Sequence, residues 1–393
     1  MIFAFLLYFC SPLSHCVAPA TPPQPLNSNN LTLRLVQLVN RHGARTPTST
    51  FLRQNERGSW LCDSDDAHSP HIVLSDNNRP RKIRHKIDPR LSQFPSNCAA
   101  GDLILEGMKQ HLELGQAYRR YLVDTLNFLP EYFDSSLLYF RATNSHRTFD
   151  SAVSFMQGLY PPVSVNEFMS IETGGSKSDF FHAQTSSCSD LKKQDKNFSK
   201  SDILKNFTDQ TKSQIKPLFD FLKVDFEDAD SSDIDGMCDF LISSYCNGKL
   251  QIPENITEEM VFTCMKFINF MMTDRYSFGG EYGIAGSPAM RELTRLRDRS
   301  ISGTDSTRLH VMSSHDSTII SLLLFFEYKD EFPPPYASHL AFEIYEQDSS
   351  HELYLRLVVN GKEVKMFNES TLLPLDYVMG KISPHMKYCD EFE

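Results

Sequence analysis

Hydrophobic and polar positions first alternate at Leu31, Leu33 and Leu35, with Thr32 and Arg34 between them, and the apolar pattern runs on to Val39. That period of two predicts a strand with one buried face, ending directly in Arg41-His42-Gly43. A polar stretch from Thr48 to Ala100, rich in Asp, Asn, Pro and His, reads as a long irregular insertion. From Asp102 to Leu122 the residues Leu105, Met108, Leu112 and Tyr118 return at helical spacing, which predicts an amphipathic helix. A short apolar strand from Leu137 to Phe140 ends at Arg141, and a helix from Arg147 to Leu159 stops before Pro161-Pro162.

The pattern changes between Pro161 and Phe278, where polar and acidic runs surround amphipathic pieces such as Met260 to Met272. This reads as a mostly helical inserted subdomain. Beyond it come a glycine-rich loop (Gly279 to Gly286), a helix (Pro288 to Arg299), and a strand (Leu309 to Met312) running into Ser314-His315-Asp316. A helix from Thr318 to Phe326 follows, and His339 to Tyr345 with Leu353 to Val359 form a terminal β-hairpin. Strands separated by helices predict an α/β fold with a mainly parallel sheet and flanking helices, the hairpin adding an antiparallel edge. The expected units are an α/β catalytic domain from residues 27–160 and 279–393 and a smaller helical cap subdomain from residues 161–278.

The first twenty residues change the picture of where the protein works. An apolar stretch from Ile2 to Phe9 leads into small residues without charge through Ala20, which reads as a secretory signal peptide over residues 1–20, cleaved between Cys16 and Ala20. It departs from the usual pattern in having no Lys or Arg ahead of the apolar stretch. No later segment reaches the ~20 apolar residues that a membrane span requires. The expected location is secreted, lysosomal or otherwise lumenal. With Cys10 and Cys16 assigned to the leader, Cys62, Cys98, Cys188, Cys238, Cys246, Cys264 and Cys389 remain, enough for three disulfides and one thiol. Cys62 with Cys98 and Cys238 with Cys246 are the expected pairs, because each brackets a polar loop. The absence of any CxxC spacing leaves a metal site without support. Sequons at Asn30, Asn197, Asn206, Asn255 and Asn368 are compatible with glycosylated surface loops.

Composition excludes several classes. Of 393 residues 23% are charged and 40% apolar, and glycine (17) and proline (21) together stay under a tenth, so disordered, collagenous and coiled-coil readings fall away. A net charge of −11 disfavours general affinity for nucleic acid or anionic membrane. An anionic substrate therefore needs a local basic cluster.

Three clusters stand at the carboxyl ends of predicted strands: Arg41-His42 with Arg45, Arg141, and His315-Asp316. Ligands of open α/β sheets bind along that edge, so the clusters can converge on one crevice. Guanidinium forks match phosphate oxygens and stay charged. Positive neighbours keep an imidazole unprotonated, which makes His42 a candidate nucleophile and Asp316 the candidate proton donor to a leaving oxygen. Other readings are weaker. Ser314, His315 and Asp316 are adjacent and cannot form a relay among themselves, and Gly280, Gly283 and Gly286 do not make a nucleotide loop. His111 reads as a surface or packing residue, and Met260, Met265, Met271 and Met272 as core.

Arg41-His42-Gly43-Ala44-Arg45-Thr46-Pro47 resembles the RHGxRxP signature of the histidine acid phosphatases, and His315-Asp316 resembles their distal HD pair. Leu105-Glu106-Gly107-Met108, the segment Arg141 to Thr148, and Tyr336 to Leu340 resemble three further family blocks, so the likeness spans Leu31 to Val359. The resemblance implies a large α/β domain under a helical cap and metal-free, cofactor-free hydrolysis of small phosphate monoesters. It implies that His42 becomes a phosphohistidine, that Arg41, Arg45, Arg141 and His315 hold the phosphoryl oxygens, and that Asp316 protonates the departing alcohol. Homodimers occur among the family's members. A phytase also carries HD and stays open, as does a catalytically silent secreted binding or allergen protein on the same fold. A phosphoglycerate-mutase-like transferase lacks support, because Ala-Arg-Thr-Pro follows RHG.

Overall fold

A computed structural model describes residues 11–28, 30–49, 60–62, 98–163, 168–175, 179–182, 188–248 and 254–390. Most of the expected insertion from Thr48 to Ala100 lies outside the described residues. The strands are β1 (Leu31–Arg41), β2 (Leu138–Ala142), β3 (Ile171–Thr173), β4 (Leu309–Ser314), β5 (His339–Gln347), β6 (Leu353–Val359), β7 (Lys362–Glu363) and β8 (Leu372–Pro374). They form one sheet in the order β3-β2-β4-β1-β5-β6-β7, with β8 also paired to β6. The pairs β3-β2, β2-β4 and β4-β1 are parallel, and from β5 onward the pairing is antiparallel. The expected sheet and terminal hairpin are thus both present.

The helices are α1 (Leu105–Arg119), α2 (His146–Leu159), α3 (Ser189–Phe198), α4 (Asp202–Gln214), α5 (Lys216–Leu222), α6 (Ser231–Cys246), α7 (Glu258–Tyr276), α8 (Ser287–Ile301), α9 (Asp316–Leu323) and α10 (Leu375–Ile382). Strand β1 is buried from Leu35 to Arg41, so its alternation serves two faces rather than one. Leu35 and Val39 pack under α8, α9 and α10, and Gln37 between them donates to Leu293 O of α8 at 2.8 Å. Val36 and Leu38 pack against α1 and α2. These two helices touch backbone to backbone: a Cβ on Gly115 would lie 2.0 Å from Phe155 O, and one on Gly158 2.1 Å from Leu112 O. Past Arg119 the helix α1 loosens into a π-helical turn, Arg120–Thr125.

The region expected to be a helical cap begins by adding β3 to the sheet. Helices α4 to α7 build a separate apolar cluster around Phe219, Met237, Leu241, Met265 and Phe267, while α3 packs through Leu191 and Phe198 into two smaller ones. Two short strands (β7, β8) and α10 at the C-terminal end had no counterpart in the sequence pattern. No described helix is long and apolar enough to cross a membrane. All five sequon asparagines are exposed.

Among the described residues, three disulfides join Cys16 to Cys246, Cys62 to Cys98, and Cys188 to Cys389. Of the two expected pairs, Cys62–Cys98 is present and Cys238–Cys246 is not. Both members of the second lie on α6, eight positions apart, which places them ~12 Å apart along the axis, beyond disulfide reach. Cys238 is instead a buried free thiol, like Cys264. Residues at the expected cleavage boundary make contacts with the rest of the chain. Ala18 N donates to Tyr336 O at 2.8 Å and Tyr336 N to Cys16 O at 2.9 Å, so these residues belong to the fold.

The cross-strand pair Glu343 and Arg356 is wholly buried, with Oε2 and Nη1 2.9 Å apart. Burial lifts the Glu343 carboxyl above its usual range, opposed by Arg356 and the hydroxyls of Tyr121 and Tyr345. Removing one partner strands the other charge. Arg356→Met should cost about 3–5 kcal/mol of stability in denaturant titration, and adding Glu343→Leu should restore most of it; equal losses in the single and double variants would contradict a paired charge. Non-reducing peptide mapping should return a linked Cys16–Cys246 peptide, and a mature N-terminus beyond Cys16 would overturn that bridge.

Candidate active site

Parallel pairing carries three strand ends to one edge. Arg41 lies beside Ser314 in register and Ala142 beside Ser313, while His42 N donates to Ser314 O at 3.0 Å. The segments 41–45, 143–147 and 314–316 therefore leave the sheet together.

The turn after β1 is fastened from below. His111 of α1 donates Nε2–H to Arg41 O at 3.0 Å, Ala44 N donates to Gln110 Oε1 at 2.8 Å, and Gly43 N to Ser151 Oγ of α2 at 3.1 Å. Gly43 is required by closeness: a Cβ there would stand 2.3 Å from Gly107 O. His111 is thus neither at the surface nor a ligand. Burial holds its imidazole down to about 4, a neutral positioning residue.

His42 is buried, and its Nδ1 lies 2.8 Å from Gly43 O. A carbonyl can only accept, so Nδ1 carries the hydrogen and Nε2 keeps a lone pair. Burial first, then Arg147, Arg41, Arg45 and His315, hold this imidazole well below its ordinary pKa. The ring of His315 stands 5.6 Å from that of His42 and edge-on, at 72°. His315 Nε2 reaches Thr143 Oγ1 at 2.9 Å, and its ring lies 4.5 Å from that of His182. Burial and then Arg147 lower its pKa too.

Each guanidinium has a different answer to its charge. Arg41 pairs with Asp316 at 2.8 Å, bonds Pro334 O, and lies 4.5 Å over the Tyr336 ring. Arg45 is held at 2.6 Å by Asp239 of α6, which also takes the Thr48 N–H and hydroxyl at 2.8 and 2.7 Å. Burial works against the Arg45 charge, but Asp239 overcomes it and raises its pKa. Arg147, the second residue of α2, meets no carboxylate at ion-pair distance among the described residues. Its nearest polar partner is His315 Nδ1 at 3.5 Å, and burial with Arg45 pushes its pKa down to about 10. An anion bound here would complete it.

Of the residues expected from sequence, Arg41, His42, Arg45, His315 and Asp316 converge. Arg141 does not join them. Its guanidinium lies 3.6 Å from Asp179 and 4.0 Å from Glu172 of β3, with the Phe180 ring 5.2 Å away, and no bonded contact links it to His42, His315 or Asp316. It braces an edge strand. Arg147 takes the position expected of Arg141, and Asp239, Tyr336 and His182 were also not foreseen as site residues. The signal for Arg147 was present, since it opens the helix that follows β2.

A neutral imidazole among three guanidiniums, with a carboxyl beside it at the carboxyl edge of an α/β sheet, is an arrangement chemically suited to a phosphoryl group. Residues 32–360 match the histidine phosphatase superfamily (branch 2), and the chain belongs to that family. It is 26% identical over 378 residues to "Counting factor 60" of Dictyostelium discoideum, covering 92% of this chain and 88% of that one. It is 24% identical to "Lysophosphatidic acid phosphatase type 6" of Mus musculus, covering 92% and 87%. Hafnia alvei phytase bound to tartrate superposes with a TM-score of 0.60 at 14% identity, over 92% of this chain and 99% of that one, a likeness of fold.

Charge-assisted bonds to phosphate are worth about 1.5–3 kcal/mol. Arg147→Ala should therefore weaken inhibition by inorganic phosphate about 10- to 100-fold, whereas Arg141→Ala should leave it within about threefold. The reverse order would restore Arg141 to the site.

Proposed function

We propose that this protein is an acid phosphatase that hydrolyses small phosphate monoesters through a phosphohistidine on His42. The observation that carries the reading is the His42 tautomer: Nδ1–H is engaged by Gly43 O, so Nε2 is the free lone pair within the arginine cluster. Nε2 attacks phosphorus as the bond to the alcohol oxygen breaks. Arg41, Arg45, Arg147 and His315 hold the phosphoryl oxygens, and substrate replaces Asp316 as one partner of Arg41. Asp316, the first residue of α9, gives its proton to the departing alcohol. As a carboxylate it then takes a proton from the water that attacks the phosphohistidine, and the P–N bond breaks to release phosphate. Guanidiniums supply the positive charge here, and the reading includes no cofactor.

Helices α3 to α7 act as the cap over this centre, since Asp239 reaches Arg45 from α6. We read the protein as secreted or lumenal, with a leader ending before Cys16; the three disulfides and the exposed sequon asparagines support this.

Single-turnover phosphoenzyme formation at acidic pH tests the mechanism. His42→Ala should form none with any ester. Asp316→Asn should slow an alkyl phosphate by about 10²-fold or more and an activated aryl phosphate much less, because only the alkoxide needs the proton. If the wild-type protein forms no phosphoenzyme, it is a silent binding member of the family.

A further inference from the structure

One face of α6 carries Ser232, Asp235, Asp239 and Ser243, at helical spacings of three, four and four, while Ile234, Met237 and Leu241 are buried in the helical cluster. The polar face lines a cavity of about 350 Å³ that begins at Arg41, Arg45 and Asp316. Ser243 and Asp239 both bond Arg45 and are committed to the phosphoryl end. Asp235 stands one turn further, ~6 Å beyond. It makes no hydrogen bond or ion pair among the described residues, although it is more than half buried.

The rest of the outer cavity is lined by apolar side chains of α7, the hydroxyls of Ser232, Tyr276 and Ser317, the imidazole of His15 and one ion-paired guanidinium. Met265, Ile268, Met271 and Met272 of α7 form its wall; Met265 is core, as expected, and the other three pack on apolar clusters. Arg275, the cation there, is held through Nε and Nη2 by the two oxygens of Asp195, each at 2.5 Å. A second phosphate on the substrate would meet carboxylates and no unpaired guanidinium among the described lining residues. An uncharged alcohol would fit the wall but leave Asp235 without a partner.

We propose that Asp235 selects monoesters whose departing alcohol carries an alkylammonium group on an apolar chain. This rests on the phosphatase reading above and names its substrate class. The ammonium would bond the Asp235 carboxylate while the chain lies along the methionine wall, where thioethers adapt to its shape. Burial, then Asp239 and Asp316, push the Asp235 carboxyl up to about 6, against Arg275 and Arg45. It is therefore charged at pH 7 and largely neutral at pH 5, so the preference grows with pH.

The test compares kcat/KM for butyl phosphate, 4-aminobutyl phosphate and butane-1,4-diyl bisphosphate at pH 5 and 7. The wild-type protein should prefer the amine over butyl phosphate about tenfold or more at pH 7 and less at pH 5, and should disfavour the bisphosphate. Asp235→Asn should bring the amine-to-butyl ratio near one at both pH values, and Asp235→Glu should keep most of the preference. Because the readout is a ratio within each variant, loss of folded protein moves both rates alike. A ratio unchanged by Asp235→Asn, or a preference for the bisphosphate, overturns the role of Asp235 while leaving the phosphatase reading in place. No turnover of any ester overturns both.

Discussion

Three guanidiniums cannot crowd a buried imidazole unless their mutual repulsion is answered, and much of the structure is arranged around that demand. Arg41 is answered by Asp316 and the face of Tyr336, and Arg45 by Asp239. Arg147 is the one left incomplete. The same charges that repel one another also keep His42 unprotonated, so the feature that is hardest to stabilise is the one that makes Nε2 available.

The answer draws on every layer. The sheet aligns three strand ends, α1 and α2 fix the turn after β1, and the helical region supplies the Asp239 carboxylate. Losing Asp239 would therefore disturb the guanidinium cluster around His42 from outside the α/β layers. Asp235 on the same helix face makes no hydrogen bond or ion pair among the described residues.

What could be read in the sequence was what local periodicity and short motifs record. The alternation of β1, the helical spacing of α1 and the RHGxRxP run each carry their own evidence, and all three hold. Partners distant in sequence leave no such trace. Arg141 looked like a phosphate ligand because β3, only three residues long, was invisible, and with it the carboxylate of Glu172. Nothing local records that residues 16–18 frame Tyr336 and bridge to α6. The long apolar run of β1 similarly hid its second buried face, since alternation cannot say which side solvent takes.

The position of β1 bears on how the chain is made. This central strand is synthesised long before its neighbours β4 and β5, which come from residues 309–314 and 339–347. Until some 300 further residues have been synthesised, its leucine- and valine-rich edges have no native partner. At about 5–20 residues per second that wait is on the order of 15–60 s. Helices α3 to α7, whose contacts are largely local, can form during that interval. The nascent protein thus spends much of its synthesis with a helical module able to form and a central strand whose unpaired edges are open to pairing with another chain.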